Sequence, residues 1–156
     1  MKYLFFYGSI LLVLLALLAV NRVKKLSMND YLIGIASTAF SLAFDVALGG
    51  HFKLYYYISP DTSLLYIIIA ALLLYPPLSI MYVRFLPKNK NQILVYTGIW
   101  IAAMLIFELI SVLSRTIVFT GWKPFPWSPI TYVITYLWVI SLYRFLNRRC
   151  NIVPAK

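Results

Sequence analysis

The chain has 156 residues, of which 63% are hydrophobic and only 12% charged. A soluble domain is about half apolar and roughly a quarter charged, so these charges are too few to cover a water-soluble globule. With no Ser/Gly/Pro-rich linker, the length fits one membrane-embedded domain. The formal net charge of +10 does not point to nucleic acid. Its Lys and Arg residues gather in short segments between apolar runs, and no soluble face carries a basic patch. Cys150 is the single cysteine, which excludes an intrachain disulfide and any multi-cysteine metal site. In the polar tail it reads as a reduced, inert thiol.

A helix needs about 20 mostly apolar residues to cross a hydrocarbon core, and five runs qualify. The first covers about residues 3–20, rich in Leu and closed by Asn21, Arg22, Lys24 and Lys25. It resembles a signal peptide only superficially. The apolar run passes straight into basic residues without a small-residue cleavage site, so a retained helix is expected. The second covers 31–49, with Asn29 or Asp30 as the expected cap and Gly49-Gly50 as its stop. The third covers 64–85 after the turn-like Ser59-Pro60-Asp61-Thr62. Tyr75-Pro76-Pro77 inside it predicts a plain kink, since each proline removes a donor and crowds the preceding turn. The fourth covers 93–113. The fifth covers 129–146, with Pro129 suited to a first helical turn.

Alternation of these spans puts ten basic residues on one side: Arg22, Lys24, Lys25, Arg84, Lys88, Lys90, Arg144, Arg148, Arg149 and Lys156. Four, namely Lys2, Lys53, Arg115 and Lys123, fall on the other. The positive-inside rule then predicts an all-α, five-helix transmembrane bundle with its amino terminus outside and its carboxyl terminus cytoplasmic. Tyr55, Tyr56 and Tyr57 beyond the second span, and Trp122 and Trp127 beside the fifth, suit the headgroup level. Both outer loops, residues 51–63 and 114–128, are therefore expected to press against the membrane. The stiff turn Trp122-Lys123-Pro124 reads as an interfacial anchor.

Two of the four acidic residues, Asp45 and Glu108, fall inside predicted spans. A carboxyl group in the bilayer costs at least a few kcal/mol unless it faces the bundle interior or a wet cavity. Both lie about five residues from the outer ends of their helices, hence at roughly one depth. Each continues a polar stripe. Ser37, Ser41 and Asp45 recur every fourth residue; Glu108, Ser111 and Arg115 follow at three and four; Thr131 and Thr135 repeat the spacing beside Tyr132 and Tyr136. The spacing predicts a shared polar interior in the outer half of the bundle, built from Asp45, Glu108, Ser41, Ser111 and Thr135. His51, Lys53 and Arg115 would stand near its mouth. Two readings stand side by side. In the structural one, Asp45 or Glu108 pairs with Arg115 or Lys53 and the hydroxyls join helices. In the functional one, the groups form an outward-opening site for an ion, a proton or a small polar ligand. Two acids facing one cavity would raise at least one pKa. His51 lacks the spacing of a zinc site, and no nucleotide loop, nucleophile elbow or haem motif is present. No metal or cofactor is expected.

Phe44-Asp45-Val46-Ala47-Leu48-Gly49 with Leu54-Tyr55-Tyr56-Tyr57, Tyr75-Pro76-Pro77-Leu78-Ser79-Ile80 and Phe85-Leu86-Pro87 form a pattern. Glu108 with Ser111, and Gly121-Trp122-Lys123, complete it. Over residues 31–146 it resembles a family of small uncharacterised five-helix membrane proteins of spore-forming Gram-positive bacteria. The resemblance implies a multi-pass protein of the bacterial cytoplasmic membrane and transfers no catalytic residue. It also ties Asp45, Glu108 and Trp122-Lys123 to one recurring pattern.

Small size and the absence of chemistry motifs favour a non-enzymatic accessory or interaction subunit of a cell-envelope assembly. It would contact lipid together with a membrane-protein partner or further copies of itself. The alternative is an ion- or proton-coupled transporter or channel component that uses the two carboxylates. A membrane-embedded lipid or isoprenoid enzyme ranks third, because carboxylates alone define no reaction.

Overall fold

The structure is a computed structural model that describes residues 1–150, with side chains to residue 148. The expectations for the Arg149 and Cys150 side chains and for Lys156 lie outside it. Among the described residues six α-helices and two strands follow in order: α1 (Lys2–Val23), α2 (Met28–Asp45), β1 (Tyr55–Tyr57), α3 (Ser63–Leu73), α4 (Tyr75–Arg84), α5 (Lys90–Leu113), β2 (Ile117–Phe119) and α6 (Pro124–Cys150). Helices α3 and α4 are two halves of one run. Five stretches are thus long and apolar enough to cross a membrane: Lys2–Val23, Met28–His51, Pro60–Arg84, Lys90–Leu113 and Pro124–Arg148. Their outward faces carry exposed hydrocarbon, as at Leu12, Ile35, Leu94 and Ile99, while Ile33, Ile67, Tyr82 and Val139 are fully buried between helices.

Local chemistry sets the helix ends, and several differ from the sequence reading. Helix α2 is capped by Ser27, not by Asn29 or Asp30. Ser27 Oγ accepts from the Asp30 backbone N–H, and the Asp30 carboxylate accepts from the Ser27 backbone N–H at 2.7 Å. This is the reciprocal capping box. The same Asp30 oxygen accepts from Arg84 Nη1 at 2.6 Å, with both side chains at most 7% exposed. Arg84 Nη2 donates to the carbonyls of Lys24 and Lys25. One guanidinium thereby fastens the end of α4 to the α1–α2 turn and to the cap of α2. On the same end of the bundle, Asn29 Nδ2 donates to Asn147 Oδ1 at 2.9 Å and ties α2 to α6.

The α-helical part of α2 ends at Asp45, ahead of Gly49-Gly50. The chain continues as a π-helical turn over Val46–His51, the wide-turn geometry that recurs at functional sites. Gly49 serves close packing: a Cβ there would stand 3.0 Å from the Tyr55 ring and 3.2 Å from Ile67 Cδ1. The prolines do more than kink the third stretch. The helix is interrupted at Leu74, and Pro76 and Pro77 open α4 in the first-turn positions where a missing N–H leaves nothing unpaired. Helix α6 starts earlier than residue 129. Phe125 is extended (φ −105, ψ 128), so Pro129 lies within the helix, in the first turns after that break.

The two loops expected to lie on a membrane surface pair with each other. Strands β1 and β2 run antiparallel with Tyr55 opposite Phe119 and Tyr57 opposite Ile117. The Leu54 carbonyl accepts from the backbone N–H groups of Thr120, Gly121 and Trp122 at 2.9–3.0 Å. Ile58 N–H donates to the Thr116 carbonyl at 2.9 Å. The start of α1 is sewn to this sheet, since Lys2 Nζ donates to the Ile58 carbonyl and Thr116 Oγ1 donates to that of Lys2.

The buried ion pair gives a direct test. Arg84→Met leaves the Asp30 carboxylate buried without its cation and should destabilise the fold by about 3–5 kcal/mol. The double variant Asp30→Leu/Arg84→Met should lose less than the two single variants summed. Thermal unfolding followed by circular dichroism in detergent micelles measures both.

Candidate functional site

Beneath the two-stranded sheet lies a cavity of about 170 Å³ that all five apolar stretches line. The alternation of side chains along a strand turns Tyr55 and Tyr57 of β1, with Ile117 and Phe119 of β2, toward this space. Tyr56 and Val118 face away from it, beside Arg115. The sheet is thus the roof of the chamber. Four-residue spacing places Ser37, Ser41 and Asp45 of α2 along one wall, and Thr131 and Thr135 of α6 along another. Glu108 and Ser111 of α5 line it as well.

Each carboxylate is held by hydroxyl groups. Asp45 Oδ1 accepts from the Tyr55 phenol at 2.5 Å. Asp45 Oδ2 is buried and has no hydrogen-bond partner; the Tyr75 phenol stands near without making a bond of good geometry. The break at Leu74 explains how Tyr75 arrives there, donating to or accepting from the Tyr57 phenol at 2.9 Å. Burial first, and the Asp45 carboxylate second, push the Tyr55 and Tyr57 phenols well above the ordinary tyrosine range. Tyr55 therefore remains a donor at any physiological pH. Glu108 is fully engaged: Oε1 accepts from Ser128 Oγ at 2.6 Å and Oε2 from the Tyr132 phenol at 2.8 Å. Ser128 Oγ in turn accepts from Trp122 Nε1 at 3.0 Å. Trp122 lines the chamber as part of this chain of bonds.

Other sequence expectations need correction. Arg115 does not join the site. Helix α5 ends at Leu113, and Arg115 is exposed in a left-handed conformation (φ 57) on the far side of the sheet. His51 is also exposed, at the end of the π-helical turn, with its ring against Phe52. Lys53 is exposed and left-handed (φ 52). Neither carboxylate is ion-paired; among the described residues the ion pair is Asp30–Arg84. Hydroxyls do join α6 to α5, through Ser128 and Tyr132 on Glu108, but the stripe hydroxyls bond locally. Ser41, Ser111 and Thr135 each donate to a carbonyl of their own helix, the local alternative open to any helical Ser or Thr.

No Lys, Arg or His among the described residues lines the chamber. It is a cavity with two carboxylates, neutral hydroxyl donors and aromatic walls. The sequence reading missed Tyr55, Tyr57, Tyr75 and Ser128 as site residues. The first two alternate with Tyr56 in a strand-like run, a signal that was available.

Comparison with known proteins adds no relative: no family model, curated protein or solved structure matches the chain.

Tyr55→Phe deletes the donor to Asp45 and should cost about 1–3 kcal/mol of stability, because a buried acceptor loses its partner. In the background of Asp45→Asn the same change should cost clearly less. A double-mutant cycle of thermal unfolding in micelles reads the difference.

Proposed function

We propose that the chain is a multi-pass protein of the cytoplasmic membrane, amino terminus outside, that takes a small polar or ionic ligand into its central chamber. It belongs with binding and transport components. Five apolar stretches with exposed hydrocarbon faces support the membrane reading. The crowding of basic residues at the end opposite the sheet supports the orientation. The resemblance to five-helix proteins of spore-forming bacteria fits the same placement.

One observation carries the functional reading: Asp45 and Glu108 line the same cavity without a cationic side chain among the described lining residues. In a low-dielectric interior two uncompensated carboxylates are costly, and such groups mark ion or substrate pathways. A purely architectural interior would pair them with Arg115 or Lys53, and both of those are exposed elsewhere. An accessory role in an envelope assembly draws support from small size and the absence of chemistry motifs, and neither accounts for the two carboxylates in one cavity. A lipid enzyme would need a reacting centre that the two carboxylates do not define.

Two measurements test this. In a Cys150→Ser background, Lys53→Cys and Lys123→Cys should react with a membrane-impermeant maleimide in intact cells, and Lys88→Cys only after permeabilisation. The reverse pattern would overturn the orientation. In proteoliposomes, the wild-type protein should carry proton or sodium flux that Asp45→Asn/Glu108→Gln lacks. Equal flux from both, or none from either, would sink transport and leave ligand binding to be judged by titration.

A further inference from the structure

The chamber's chemistry narrows what it holds, given the reading above that it takes a ligand at all. Its formal charge comes from two carboxylates, so a ligand that neutralises it is a cation. Their free valences differ. Both oxygens of Glu108 already accept from hydroxyl groups, whereas Asp45 Oδ2 and Ser37 Oγ are buried with no partner. Ser37 is only 4% exposed and lines the chamber two turns from Asp45. Among the described residues the chamber's open acceptors thus lie on one face of α2, the Asp45 oxygen with the Tyr75 phenol near it.

The walls decide which kind of cation suits that oxygen. Thirteen of the thirty lining residues are aromatic, among them Phe40, Phe44, Tyr75, Tyr132 and Trp138. A bare metal ion needs a shell of about six oxygen ligands, and among the described residues no three of His, Cys, Asp and Glu converge as ligands. Aromatic rings instead favour a cation that brings its own hydrocarbon, attracted to the ring faces and strengthened by desolvation. The volume of about 170 Å³ compares with the ~150 Å³ apolar cavity that admits benzene. That is room for one ring, or a branched chain of similar bulk, and an attached ammonium.

We infer that the chamber binds a small protonated primary amine with an aromatic or branched hydrocarbon body. Its ammonium donates to Asp45 Oδ2, and its body lies among the rings beneath the sheet. Glu108 contributes a second negative charge from a distance, held in place by Ser128 and Tyr132.

The matched probes are benzylammonium and benzyl alcohol, which share a body and differ in charge. Wild-type protein in phosphatidylcholine nanodiscs is titrated with each, reading the emission of Trp122 and Trp138, both of which line the chamber. Benzylammonium should bind saturably and at least about tenfold more tightly than the alcohol. Asp45→Asn should lose about tenfold in amine affinity while keeping wild-type helicity by circular dichroism, and Glu108→Gln should lose less. Equal affinity for the two probes in the wild-type protein overturns the inference, and that comparison holds even if a variant fails to fold. Sodium or proton flux without amine binding also overturns it and leaves the wider reading of the chamber intact. Loss of both flux and every saturable ligand removes the two together.

Discussion

In the bilayer proposed above, the hydrocarbon outward faces of the long stretches leave a polar side chain to be satisfied only between helices. That constraint shapes the whole molecule. It sends Asp30 to Arg84 at one end of the bundle, where a full ion pair forms. It sends Asp45 and Glu108 into the chamber at the other end, where hydroxyl donors alone meet them. The contrast is informative. A cation was available to stabilise one carboxylate, and the fold placed the nearby Arg115 and Lys53 outside the chamber.

Two departures from regular helix build the roof and walls. The π-helical turn after Asp45 and the bare Cα of Gly49 let the Tyr55 ring pass close to α2. From there its hydroxyl reaches back to Asp45. The interruption at Leu74 turns Tyr75 toward the same space. The sheet closes the end, with the Leu54 carbonyl gripped by three successive N–H groups and Lys2 bonded to its rim. Breaks that would only weaken a helix elsewhere here direct phenol groups at a carboxylate.

Much of the fold could be read from the sequence, because apolar run length and helical spacing are local signals. The five stretches emerge from hydropathy, and the stripes Ser37-Ser41-Asp45 and Thr131-Thr135 from four-residue spacing. The failures have physical causes. The stripe through Glu108 was carried to Arg115, two residues past the end of α5, where the chain has turned left-handed and helical phase no longer applies. The β1–β2 pairing joins segments some sixty residues apart, and local periodicity carries no trace of such a contact. Ser27 is legible as a cap, since Ser27 and Asp30 have the spacing of a capping box, although Asn29 and Asp30 are the more conspicuous polar pair beside the apolar run. The Arg84 clamp is long-range and was not legible.

Residues 45 and 108 look into one chamber from different helices. Cross-linking tests it most directly. In a Cys150→Ser background, Asp45→Cys/Glu108→Cys in native membranes is treated with a short bis-methanethiosulfonate. Two thiols facing one chamber should form an intramolecular bridge that shifts gel mobility and disappears on reduction, with little modification of either by a lipid-phase maleimide. No bridge, together with ready labelling of either thiol from the lipid, would contradict it.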